Sequence, residues 1–153
     1  MLGVLGVAHP PGQRIGRLLT GDGPQAAAAM LEEMGVSVTV ADARFCKPLD
    51  TELVLQLSSN HAALLTVEEG SIGGFASHVT QYMLSAGLLD GSTKLRCMYL
   101  PDENIEHGAA DWQLEQAGLS PKDIAATVLQ MLDRKREALE VKASKQTAVK
   151  TAA

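Results

Sequence analysis

The chain has 153 residues, 46% of them hydrophobic, and a net charge of −5 with an isoelectric point near 5.3. That length fits one domain with a normal core, and the acidic balance, with Lys and Arg clustered only near the C-terminus, argues against a nucleic acid partner. Two distant cysteines, Cys46 and Cys97, without a C-x-x-C pair or a histidine cluster, argue against a disulfide framework or a zinc site, and no run approaches the ~20 apolar residues of a membrane span.

Along the chain, short β-rich runs alternate with longer helical segments, the pattern of a βαβ series around a parallel sheet. The opening "MLGVLGVAHPPGQRIG" holds a short apolar stretch with no basic leading segment and no clear cleavage site. No Ser- and Arg-rich transit segment is present either, so any organelle address is expected to be missing or to sit on a longer chain. A first strand is expected over 15–20, broken by "GDGP", and "QAAAAMLEEMG" reads as a helix stopped by Gly35. "VSVTVA", Val36 to Ala41, is β-branched at nearly every position, which predicts a central strand covered on both faces.

After the turn "ADARFCKPLD", Asp50 or Thr51 caps a helix through Leu57, and "HAALLTV" is the next strand. Gly73-Gly74 opens a helix from Phe75 to Leu84, and "TKLRCMYL" is a fourth strand halted by Pro101. A helix over 110–116 stops at Gly118. Ser120-Pro121 then caps a last helix from Lys122 to Glu140, with Ile124, Val128, Leu129 and Leu132 on one buried stripe. From 141 onward the pattern is lost, which predicts a disordered tail.

Candidate chemistry is sparse. Gly21-Asp22-Gly23 has the spelling that thiamine-diphosphate enzymes use, with a later asparagine, to hold a hard cation on the diphosphate. The next asparagine, Asn60, comes too late, so the motif reads as a strand-to-helix turn. A dinucleotide fingerprint fails at Ala26, where its third glycine belongs, and Ser71, Ser77 and His78 lack a nucleophile elbow.

Glu68-Glu69 close a predicted strand at the edge where ligands of open α/β sheets bind. As consecutive strand residues they face opposite sides and cannot form one acid/base pair unless the strand has already ended. One of them is expected to accept hydrogen bonds from the glycine-turn amides at the start of the next helix. Arg44 and Lys47, in a loop from the same edge, are suited either to an anion or, more commonly, to salt bridges with a neighbouring domain or with Asp42 and Asp50. "LPDENIEHG" is a third such loop, where a lone His107 defines no reaction.

Three stretches, "VADARFCKPLD", "LLTVEEGSIGGFASHV" and "LPDENIEHGAADWQLEQAGLSP", together resemble the C-terminal domain of 1-deoxy-D-xylulose-5-phosphate synthase, with spellings similar to plant or green-algal members. The resemblance covers Val36 to Leu132. It departs at the N-terminus, where the family has a Gly-aromatic-Gly strand end and a helix longer by about one turn. It implies a three-layer α/β fold with an open, mostly parallel sheet and helices on both faces. The implied organisation is an unmatched segment over 1–14, the domain over 15–140 and the tail over 141–153.

The resembled enzyme uses thiamine diphosphate and magnesium to condense pyruvate with glyceraldehyde 3-phosphate. Its cofactor and substrate pockets lie in other domains, so no cofactor and no activity are expected of this chain alone. The resemblance implies a structural role supporting a homodimer, in the plastid stroma for a plant or algal source and otherwise in the cytoplasm. The loops carrying Asp42, Arg44, Lys47, Glu68, Glu69 and His107 would be contact edges toward the other domains. Two further readings stay open: a stand-alone module docking on a full-length synthase subunit, and a sensor of a small anion.

Overall fold

The computed structural model describes residues 2–8 and 22–144. In chain order these form β1 (Leu2–Ala8), α1 (Asp22–Glu33), β2 (Ser37–Asp42), α2 (Thr51–Asn60), β3 (Ala63–Glu68), α3 (Phe75–Ser85), β4 (Lys94–Met98), α4 (Ala110–Gln116), α5 (Pro121–Met131) and α6 (Lys135–Ala143). The strand order is β2-β1-β3-β4. β1 is antiparallel to both neighbours, with Leu5 opposite Val40 on one side and Leu65 on the other, while β3 and β4 pair in parallel. Hence β2, β3 and β4 run in one direction and β1 alone is reversed, giving the open, mostly parallel sheet of an α/β fold.

β3 organises the layers, because all six of its residues are buried and successive side chains face opposite sides. Ala63, Leu65 and Val67 pack with Leu31 of α1, Ile124 and Leu129 of α5 and Ala138 of α6. Leu64 packs on the other side with Val54 and Leu57 of α2 and Phe75, Val79 and Met83 of α3. Two helical layers therefore cover the sheet.

The helix boundaries follow local chemistry. Asp50 Oδ1 accepts the Leu53 amide at 2.9 Å at the start of α2, and Ser120 caps α5 ahead of Pro121. α1, α3 and α4 end at Gly35, Gly87 and Gly118, each at positive φ. The amide after each glycine returns to a carbonyl five residues back, as in Val36 to Leu31, 2.9 Å.

Four expectations are corrected. "VSVTVA" forms an edge strand, β2, of which only Thr39 is buried; its β-branched run reports helices on both faces and says nothing about strands on both sides. An apolar run within the unmatched opening segment supplies a strand, β1, in the middle of the sheet, while the strand expected over 15–20 lies outside the described residues. The helix beginning near Gln25 starts at Asp22, since Gly23 and Pro24 fit a first turn.

The long final helix is two. Asp133, at φ 63°, takes the left-handed position that glycine holds elsewhere, and the Arg134 amide closes on Leu129 O at 2.9 Å. α6 then continues to Ala143 and buries Val141, past the expected start of the tail; residues 145–153 lie outside the described residues. Lys94 of β4 holds this turn by donating to Met131 O at 2.7 Å and Asp133 Oδ2 at 3.0 Å, and the ammonium keeps the Asp133 carboxyl below the usual aspartate range.

Two buried threonines make opposite use of their hydroxyls. His61, 6% exposed, stands 2.8 Å from Leu57 O through Nδ1 and 2.8 Å from Thr39 Oγ1 through Nε2. A carbonyl only accepts, so Nδ1 carries the proton and the Thr39 hydroxyl donates to Nε2. Thr66 Oγ1, fully buried in β3, meets no partner among the described residues. Thr39→Val is therefore expected to cost about 1–2 kcal/mol by stranding Nε2, and Thr66→Val to gain about 1 kcal/mol. Urea unfolding of the two variants checks both signs.

Candidate functional site at the carboxyl edge of the sheet

Because β2, β3 and β4 share a direction, the segments that follow them, 43–50, 69–74 and 99–109, leave from one edge, where open α/β sheets place their functional loops. The most constrained feature there is Glu68. Its side chain is 2% exposed, Oε2 accepts from the Phe75 amide and Oε1 from the Ala76 amide, both at 2.9 Å. These are the first two amides of α3, whose N-cap residue Gly74 has no side chain to offer. A carboxylate from the preceding strand thus does the work of a cap, at the positive end of the helix dipole.

The glycines around it are steric requirements. A Cβ on Gly74 would lie 2.4 Å from Glu68 Oε2, and one on Gly70 would lie 3.0 Å from it. Gly73, at φ 97°, makes the turn, and its amide donates to Ser77 Oγ at 3.1 Å. Gly70 O also accepts the Leu100 amide at 2.9 Å, which ties the 69–74 loop to the segment after β4.

Glu69, one residue past the strand, is exposed, whereas Glu68 is buried on the α3 amides. Glu68, buried as it is, reaches a partner only through the loop it shapes. Ile72 at the tip of that loop is 66% exposed.

In the first loop Asp42 is half-buried and Arg44 and Lys47 are exposed. Asp42 Oδ1 accepts the Arg44 amide at 2.9 Å and so stabilises Arg44 in a left-handed conformation, φ 57°. Asp50 is engaged in capping α2. The salt bridges of Arg44 and Lys47 with these two acids are therefore not formed; the acids bond to backbone amides instead. A shallow hollow of about 360 Å³ here is lined by Asp42 and Asp50 as well as Arg44, a mixed-charge wall that does not select an anion. Phe45 beside it is 66% exposed.

In the third loop His107 is exposed. The loop is anchored by Gln113 Nε2 donating to Glu106 O at 3.1 Å and by Gly108, where a Cβ would come within 2.6 Å of the Trp112 ring.

The six residues named from sequence thus lie at one edge, Asp42 and Glu68 at strand ends and Arg44, Lys47, Glu69 and His107 in the loops that follow. Missed there were the glycine cradle and the apolar tips Phe45 and Ile72, for which the available signal was a large apolar residue flanked by turn formers, as in "RFCKP" and "SIGG". Among the described residues no three His, Cys, Asp or Glu side chains gather as a metal site. Gly23 and Pro24 continue directly into α1.

Compared with known families, residues 24–124 match the transketolase C-terminal domain. The chain belongs to that family. The match spans all three loops of the carboxyl edge. The chain is 62% identical over 115 residues to "Probable 1-deoxy-D-xylulose-5-phosphate synthase 2, chloroplastic" of Oryza sativa subsp. japonica, covering 75% of this chain and 16% of that protein. It is 55% identical over 133 residues both to "1-deoxy-D-xylulose-5-phosphate synthase 1, chloroplastic" of the same rice and to "Probable 1-deoxy-D-xylulose-5-phosphate synthase, chloroplastic" of Capsicum annuum, 85% of this chain and 18% of each relative. The chain therefore spans less than a fifth of the length of the curated relatives it matches.

If the Glu68 carboxylate holds α3 as described, Glu68→Ala strands two buried amides and is expected to lose about 2–4 kcal/mol, with Glu68→Gln intermediate because its amide group can still accept at one oxygen. Gly74→Ala is expected to destabilise through the same contact. The double variant Glu68→Ala/Gly74→Ala should fall short of the summed losses, a coupling measured by chemical denaturation.

Proposed function

We propose that this chain serves as the C-terminal domain of a 1-deoxy-D-xylulose-5-phosphate synthase, the enzyme that joins pyruvate-derived two-carbon units to glyceraldehyde 3-phosphate with thiamine diphosphate and magnesium. The observation that carries this reading is the 62% identity to a plant synthase, within a family match that spans all three loops of the sheet edge. In this reading the cofactor is held by the rest of a synthase. Their part is mechanical: a rigid sheet presents fixed loops against the other domains and supports a homodimer.

In that role Arg44, Lys47, Glu69 and His107 are the exposed contact groups, Asp42 sets the backbone at Arg44, and Glu68 acts from behind by fixing the 69–74 loop. The mixed charges suit an interface rim, where register matters more than raw affinity. The chloroplastic designation of the relatives supports a plastid location.

The test is a chimera in which this chain's residues 24–144 replace the corresponding stretch of the rice synthase. It is expected to retain turnover of pyruvate and glyceraldehyde 3-phosphate, whereas the purified 153-residue chain shows none with cofactor and magnesium present. Turnover by the free chain, or an inactive but folded chimera, would overturn the reading. Arg44→Glu in the chimera is expected to weaken domain association about tenfold, equivalent to about 1.4 kcal/mol, read as a lower temperature of inactivation.

A further inference from the structure

α3 is built with two working faces. Phe75, Ala76, Val79 and Met83 are buried toward the sheet. The opposite side, with the end of β4, walls an open groove of about 510 Å³. Ile72 at its head is 66% exposed and Leu84 at its foot 62% exposed. Ser77 and Thr80 lie between them on the helix, and Cys97 and Tyr99 form the strand side.

Among the described residues no Asp, Glu, Lys, Arg or His lines this groove, although a fifth of the chain is charged. Depletion of charge around large apolar side chains marks the core of an interface rather than a solvated face.

The strand side of the groove also limits what fits. β4 is an edge of the sheet, yet only five residues long, with exposed Lys94 and Arg96. Arg96 Nη1 donates to Leu95 O at 2.9 Å, engaging a backbone carbonyl of that strand. Such an edge is blunted against strand addition. The small side chains of Ser77 and Ser85 on α3 instead allow the close axial approach of a second helix, which lays an apolar stripe into the groove.

We infer that the α3–β4 groove is a second docking surface, continuous with the carboxyl-edge loops through Ile72 and Tyr99, and that its occupant is an uncharged apolar helix face from the remainder of the synthase polypeptide. This rests on the function proposed above. More than four-fifths of each relative's length lies outside the matched stretch, and that is the source of the partner helix. A second copy of this chain is the competing occupant.

Cys97 is the reporter, because it lines the groove and is half-buried in the free chain. In a Cys46→Ser background, maleimide labelling of the Cys97 peptide is followed by mass spectrometry in the 153-residue chain and in the rice chimera. Labelling is expected to be at least tenfold slower in the chimera, with Leu84→Glu restoring most of the rate. In the free chain Leu84→Glu should leave the melting temperature unchanged, since the side chain is exposed.

An active chimera in which Cys97 reacts as fast as in the free chain overturns the groove assignment while leaving the proposed function intact. So does protection that survives Leu84→Glu. Slow labelling in the free chain that deepens with protein concentration would hand the groove to a second copy and likewise overturn the inference. A folded chimera without turnover removes the proposed function, and this inference with it.

Discussion

The arrangement depends on a buried carboxylate meeting the first amides of a helix. Glu68 sits at the end of the most deeply buried strand, and its two oxygens take the Phe75 and Ala76 amides. An isolated charge at 2% exposure would be costly; two amide donors and the positive end of α3 offset that cost. The contact also dictates composition around it, because a Cβ on Gly74 would lie 2.4 Å from the carboxylate, and one on Gly70 would be tight at 3.0 Å. One glutamate thereby fixes the direction of α3, the path of the 69–74 loop and the exposed position of Ile72.

From that joint the division of labour in the fold follows. Side chains of β3 alternate between two cores, one under α1, α5 and α6, the other under α2 and α3. α1, α3, α4 and α5 are stopped by left-handed residues, and α2, α3 and α5 are started by side-chain acceptors, so short-range chemistry helps to position the layers. Both surfaces assigned to partners are products of this scaffold: a polar, mixed-charge edge on the loops and an uncharged groove along the outer side of α3. Interfaces commonly combine the two, with an apolar centre for affinity and a charged margin for register.

Much of this was legible in the sequence where a single residue type has one physical meaning. Asp50, the Ser120-Pro121 pair, Gly35 and Gly118 marked helix ends through capping and left-handed backbone. The pairing of Glu68-Glu69 with a following glycine turn pointed to a carboxylate on helix amides. The resemblance in three loop stretches named the family that the comparison then returned.

What was not legible depended on context. A β-branched run does not say which strands flank it, so β2 was expected to be central and is an edge. A helix break at Asp133 carries no glycine or proline; it is held by Lys94 from a strand 39 positions away. Arg44 and Lys47 suggested ion pairs with Asp42 and Asp50, but those acids bond to amides within three residues of themselves, a choice composition cannot reveal.

The bond from the Leu100 amide to Gly70 O joins two loops that sequence treats as separate. Gly70 is itself pressed against the Glu68 carboxyl, so the segment after β4 inherits its rigidity from a residue in β3. Mechanically the two loops are tied at one point, and a displacement at Leu100 would be carried through Gly70 toward the root of α3. A partner seated on either loop would thus feel the stiffness of both.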